Sequence, residues 1–158
     1  MKQADPGHDI TVIERNLPND TFGFGVVFSD ATLEGFAQAD RPTYDAITGS
    51  FAHWDDIDIH YQGEVITSTG HGFSGMSRRQ LLNILQRRAA ELDVRIRHQH
   101  EVTGLEGLED ADLIVAADGV NSLLRTRHAD RFQPEIDWRT NRFLWLGTTL
   151  PLPAFTFF

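Results

Sequence analysis

The chain has 158 residues, 41% hydrophobic and 23% charged, with a net charge of −9 and no cysteine. That is enough chain for one domain with its own core, while disulfides and thiolate metal sites are excluded. An acidic chain without a Lys/Arg cluster has no basic face for phosphates, so no nucleic acid partner is expected. No run of about 18 apolar residues is present, so no membrane-spanning helix is expected. The polar opening "MKQADPGHD" does not read as a signal peptide, and the expected location is the cytoplasm.

In chain order, residues 8–14, "HDITVIE", read as a short strand through Ile10, Val12 and Ile13 that ends in Glu14, with Arg15 next. An acid ending the second strand of a βαβ unit is placed to hold a ribose, although many strands end in a solvated Glu for no such reason. The glycine loop G-x-G-x-x-G that belongs ahead of such a strand is read neither there nor elsewhere in the chain. It should stand about 20 residues before the acid, and only 13 residues precede Glu14. "NLPNDTFGFGVVFSD" follows as a loop with Gly23 and Gly25. "DATLEGFAQAD" reads as a short helix capped by Asp30, with Leu33, Phe36 and Ala37 on one face. "DIDIHYQGEVITST" alternates on both sides of Gln62 and Gly63, a hairpin signal. "SRRQLLNILQRRAAEL" is the clearest helix. Ser77 and Gln80 match a capping box, and Leu81, Ile84, Leu85, Ala89 and Leu92 repeat at helical spacing.

"VRIRHQH" then reads as an alternating strand, and residues 113–117, "LIVAA", as a parallel strand covered on both faces. Asp118 and Gly119 form a tight turn off that strand, Asn121 and Ser122 open a helical turn, and Arg125 lies one turn further on. A carboxylate, a glycine backbone and a helix start in one place suit a ligand carrying hydroxyls and phosphates; a plain capped turn is the bland reading. From Gln133 onward, "RFLWLGTTLPLPAFTFF" looks like a second, antiparallel sheet packed by Trp138, Phe143, Trp145 and Phe155. The expected class is α/β: an incomplete Rossmann-like domain over residues 1–132, with a mainly parallel sheet plus a hairpin layer, and the start of another domain over 133–158. His98 and His100, two apart on a strand, face one way but lack a third metal ligand. His71 sits in a glycine-flanked loop, and Asp55, Asp56 and Asp58 lack calcium-loop spacing.

Taken together and in order, "DITVIER", "FGFGVVFSDATLE", "SRRQLLNIL" and "LIVAADGVNSLLR" resemble the FAD-dependent aromatic hydroxylases, single-component flavoprotein monooxygenases of the para-hydroxybenzoate hydroxylase type. The loop "TFGFGVVFSD" and the tail "NRFLWLGTTLPLPAFTF" are most similar to the branch acting on aromatic acyl-CoA thioesters. The resemblance implies FAD and NAD(P)H as cofactors, with dioxygen and a small aromatic substrate, hydroxylated through a C4a-hydroperoxyflavin. It implies that Glu14, with Arg15 beside it, holds the adenosine ribose. Arg78 or Arg79, and Gln80, would lie along the FAD chain. Gly23 and Gly25 would let the loop backbone approach the flavin. Asp118 and Gly119 would touch both FAD and the nicotinamide, braced by Asn121 and Arg125. No catalytic base is assigned.

The glycine loop and the later G-D-A motif of that family are missing, and both ends of the chain read as cut. The expectation is therefore an internal piece of a longer hydroxylase that, by itself, neither binds FAD tightly nor hydroxylates. Two rival readings stand beside it. One is a non-catalytic α/β module that binds a partner through an exposed sheet edge. The other is a fragment of an NAD-dependent dehydrogenase, a class to which the D-G-x-N-S-x-x-R element does not belong.

Overall fold

In the structure, a computed structural model describing residues 1–144 and 146–158, two strands run into helices with no loop between them. The elements in chain order begin with β1 (Thr11–Ile13), β2 (Gly25–Ser29), α1 (Asp30–Ala39) and α2 (Arg41–Thr48). β3 (Ala52–Trp54), β4 (Ile57–Tyr61), β5 (Glu64–Ser68) and β6 (Phe73–Ser77) follow. The rest are α3 (Arg78–Glu91), β7 (Arg95–Arg97), α4 (Leu123–Arg127), α5 (Ala129–Phe132) and β8 (Phe155–Phe157). The α/β class holds: β1 and β7 form a parallel pair, β2-β6-β3 an antiparallel sheet, and β5-β4-β8 a mixed one.

The core lies where α1, α2 and α3 meet the β2–β6 ladder. Phe28, Leu33, Ile47, Met76 and Ile84 are buried together, with Phe36, Tyr44 and Leu81 packed around them. Each large apolar side chain removed from water here contributes about 1.5–3 kcal/mol. Leu33 and Phe36 lie on the face of α1 expected from their spacing. The hairpin is also where the sequence places it, with Tyr61 opposite Glu64. Its two turn residues, Gln62 and Gly63, both have positive φ (53° and 86°), as a two-residue turn of the primed kind requires.

Several local expectations are corrected. Ser29, not Asp30, caps α1: its Oγ accepts the Thr32 amide at 3.4 Å, because β2 ends on Ser29 and the helix begins at once. Ser77 and Gln80 form no capping box. Ser77 is still a strand residue, paired with Gly25, and its hydroxyl makes no cap bond. α2 was not foreseen, although Asp40 followed by Pro42 is a start signal; Asp40 accepts the Thr43 amide at 3.2 Å.

Residues 113–117 are not a strand, and Leu113 and Val115 are 63% and 72% exposed. A parallel strand needs a hydrogen-bonding neighbour, and among the described residues β1 and β7 are paired only with each other. The β1–β7 sheet is therefore two strands wide among the described residues. His98 and His100 lie beyond the end of β7, where the chain turns at Gln99 (φ 56°), so the two-apart strand geometry for a metal pair is not formed.

In the tail, the one strand among the described residues is β8, and it adds to β4 in parallel rather than opening an antiparallel sheet. Phe155 does pack as expected, stacked on Phe73 at 4.9 Å and near Trp54 at 6.1 Å, while the Trp54 indole donates to the Leu152 carbonyl at 3.1 Å. Trp138 and Phe143 are 81% and 77% exposed; Trp145 falls outside the described residues. No helix of the described residues is long and apolar enough to cross a membrane.

One ion pair ties the helices together. Arg88 of α3 donates from Nε and Nη2 to the two oxygens of Asp40, both at 2.9 Å, and both side chains are mostly covered. These bonds, with help from Thr43 and against the cost of burial, lower the Asp40 carboxyl from 3.8 to about 2. A folded-state value below the unfolded one makes the pair stabilising above the unfolded value. The contribution is whole above pH 3.8 and disappears as pH falls through about 2. Asp40→Asn should cost about 1–3 kcal/mol in urea unfolding at neutral pH. The gap between wild type and variant should close as the pH is lowered from 4 toward 2.

Candidate functional site

The register of the β2–β6 ladder builds the first of three groups. Gly25 lies opposite Ser77, so the next ladder position brings the Arg78 amide onto the Phe24 carbonyl at 3.0 Å. The Arg78 Nε then donates to the Gly25 carbonyl at 2.8 Å, and Gly23 takes φ 81° to let the loop turn. Gly23, Phe24, Gly25, Arg78 and Leu146 line a cleft of about 160 Å³ at the start of α3. Arg78 is thus spent on the loop backbone. Arg79 and Gln80 are exposed and make no hydrogen bond or ion pair among the described residues.

The second group stands at the carboxyl end of the parallel pair, the edge where ligands of open α/β sheets bind. Glu14 donates its amide to the Arg97 carbonyl at 2.9 Å and accepts the His100 amide at 3.0 Å. Its Oε1 accepts from both the amide and the Nδ2 of Asn16, each at 2.7 Å. Arg15 is exposed beside it and makes no hydrogen bond or ion pair among the described residues. Glu14 rims a larger cleft of about 260 Å³ between β1, β7 and α3, whose walls include Val12, Leu82, Leu85 and Ile96.

The third group is the Asp118–Arg125 turn. Asp118 accepts the Leu123 amide at 2.7 Å, and Ser122 Oγ accepts the Arg125 amide at 3.1 Å. Hydrogen bonding from Ser122, with the Leu123 amide, holds the Asp118 carboxyl below its ordinary range. Gly119 has φ 79°, and the Arg125 guanidinium donates to the Val120 carbonyl. Asp118 and the buried Ser122 together start α4, and of the two residues that open the turn it is Ser122, not Asn121, that caps it. Asn121 is exposed and bonded to nothing among the described residues.

No hydrogen bond or ion pair joins these three groups among the described residues. For a flavin dinucleotide the fit is partial: a carboxylate at the sheet edge, and two exposed polar side chains beside a glycine loop. A G-x-G-x-x-G spacing does occur once, at Gly70, Gly72 and Gly75, but it leads into β6 and not into a helix. There the glycines serve packing, since a Cβ on Gly75 would lie 3.0 Å from the Trp54 ring. It is no phosphate cradle.

Arg78→Ala keeps the amide bond to the Phe24 carbonyl but loses the Nε bond to the Gly25 carbonyl, and should loosen the loop. Amide exchange at residues 21–25 should quicken at least about tenfold, that is by about 1.4 kcal/mol or more of lost protection, while α3 keeps its helical signal. Unchanged exchange there would show that the ladder alone holds the loop.

No protein-family profile matches the chain. It is 43% identical over 157 residues to salicyloyl-CoA 5-hydroxylase of a Streptomyces species, covering 99% of this chain and 30% of that protein. It is 34% identical over 151 residues to 3-hydroxy-4-methyl-anthranilyl-(aryl-carrier protein) 5-monooxygenase of Streptosporangium sibiricum, covering 96% of this chain and 42% of that protein. Among solved structures, a P. aeruginosa PqsL mutant aligns with a TM-score of 0.62 at 16% identity, over 90% of this chain and 43% of that one. CtdE in complex with FAD and a substrate aligns with a TM-score of 0.53 at 18% identity, over 65% of this chain and 27% of that one. The structural likenesses show the fold. Sequence and fold together relate this chain to the aromatic monooxygenases, and it spans 30% and 42% of the length of the two curated relatives it matches above.

Proposed function

We propose that this chain forms part of the FAD-binding half of a cytoplasmic aromatic monooxygenase, working with NAD(P)H and dioxygen on an aromatic acyl thioester. The observation that carries the reading is the 43% identity running through 99% of the chain to a hydroxylase named for a CoA-bound aromatic acid. A second relative, named for an aromatic acid on a carrier protein, supports the thioester class. Residues 1–132 are the FAD-binding part and residues 133–158 begin the substrate part.

FAD, when bound, supplies the oxygen chemistry. The chain's own residues bind and orient it. Glu14 accepts from the adenosine ribose hydroxyls, with Arg15 beside it. Arg79 offsets phosphate charge near the start of α3, and Gln80 donates or accepts alongside. The loop at Gly23 and Gly25, held down by Arg78, presents bare backbone to the flavin ring. Asp118 and Gly119 shape the turn that faces the cofactor, with Asn121 exposed for contact and Arg125 closing the turn on Val120. The protein contributes position and the exclusion of water, not the redox chemistry.

Two measurements test this. FAD added to the 158-residue chain should show no tight, stoichiometric binding by flavin fluorescence, since the phosphates lack a glycine cradle. Placed in the Streptomyces hydroxylase in exchange for the aligned segment, the same residues should support FAD binding and NAD(P)H oxidation stimulated by salicyloyl-CoA but not by free salicylate. A chimera that folds without retaining FAD would sink the reading.

A further inference from the structure

We infer that Asn16 is a positioning residue for the Glu14 carboxylate and sets the preference of this site for a ribose over a deoxyribose. The inference rests on the ribose-binding reading of Glu14. Asn16 places two donors, its amide and Nδ2, on the same oxygen of Glu14, each at 2.7 Å, the short range of charge-assisted bonds. Oε2 accepts no hydrogen bond among the described residues, so one oxygen is anchored and the other is left for a ligand.

Asn16 is itself fixed from the turn beyond β7. Its carbonyl accepts the Gln99 amide at 3.2 Å, while Glu14 exchanges bonds with Arg97 and His100 at 2.9 and 3.0 Å. Gln99 adopts φ 56°, a left-handed turn that lets its amide and that of His100 both point back at β1. Residues 14–16 are therefore clamped along their backbone, and the two Asn16 donors have one place to aim. A free Glu side chain has several rotamers, and a ligand that orders it must offset that entropy. Here the ordering is done before the ligand arrives, which is the physical content of preorganisation. A carboxylate held this way discriminates a diol from a single hydroxyl more sharply than a mobile one, because its free oxygen cannot swing to follow the remaining hydroxyl.

The test is a nucleoside titration of the 158-residue chain followed by amide NMR, with adenosine and 2′-deoxyadenosine as the probes at millimolar concentration. In the wild type, adenosine should shift the amides of residues 14–16 and bind about tenfold tighter than the deoxynucleoside, as expected for one charge-assisted hydrogen bond. Asn16→Ala removes the side-chain donor from an exposed position and should reduce that ratio to about threefold or less. Asn16→Ser, which restores a donor, should recover part of it, and Glu14→Gln should abolish it. An adenosine preference unchanged in Asn16→Ala, with residues 14–16 still responding, overturns the role of Asn16 and leaves the ribose reading standing. No response of residues 14–16 to adenosine in the wild type overturns both.

Discussion

The antiparallel register of β2 against β6 is the constraint on which the rest of the molecule depends. Both strands continue straight into helices, so the ladder fixes not only two strands but the starting points of two helices. At one end the Gly25–Ser77 pair is followed by the Arg78 amide on the Phe24 carbonyl, which seats the first turn of α3 against the glycine loop. At the other end the Ser29–Phe73 pair is followed by the Asp30 amide on the Gly72 carbonyl at 3.2 Å, which seats α1. A Cβ on Gly72 would fall 1.6 Å from the Asp30 carboxylate, so a larger residue there would have to turn that exposed side chain aside. A slip of one residue would turn Phe28 and Met76 out of the core and part the loop from Arg78 at the same time.

α3 serves as the common beam. Its Ile84 enters the core, its Arg88 grips Asp40 at the junction of α1 and α2, and its Gln86 donates to the Pro18 carbonyl at 2.7 Å. The loop between β1 and β2 is thus attached to α3 at two points, by Gln86 near its beginning and by Arg78 at its end. The candidate residues follow from this attachment. Gly23 and Gly25 meet the start of the helix, while Glu14 stands where the loop leaves the parallel pair. Asp118 belongs to a turn whose hydrogen bonds close on themselves and do not reach the other two groups.

The elements legible from sequence were those whose cause is local. The hairpin at Gln62 and Gly63 rests on two residues that accept positive φ, and α3 rests on a repeat of apolar residues at helical spacing. Residues 113–117 misled because an apolar run states only that a segment seeks cover, not that a neighbouring strand edge is there to provide it. Ser77 misled because a capping pattern ignores the strand that claims the same residue. His98 and His100 misled because one left-handed residue between them, Gln99, breaks the alternation that would have put them on one face.

By itself the sequence determined the α/β class, the main helix, the hairpin and the identity of the acids and glycines at the candidate site, since these depend on turn chemistry, periodicity and short motifs. Only the tertiary structure decided what those residues touch. It spends Arg78 on the Gly25 carbonyl and leaves Arg79 exposed; it turns Asn16 onto Glu14 and Asp118 onto the Leu123 amide; and it lays the tail strand along β4 in parallel. The reason is physical: a donor's partner is set by which backbone carbonyl or carboxylate the fold brings within about 3 Å, and that distance is a property of strand register and helix placement, which no local pattern encodes.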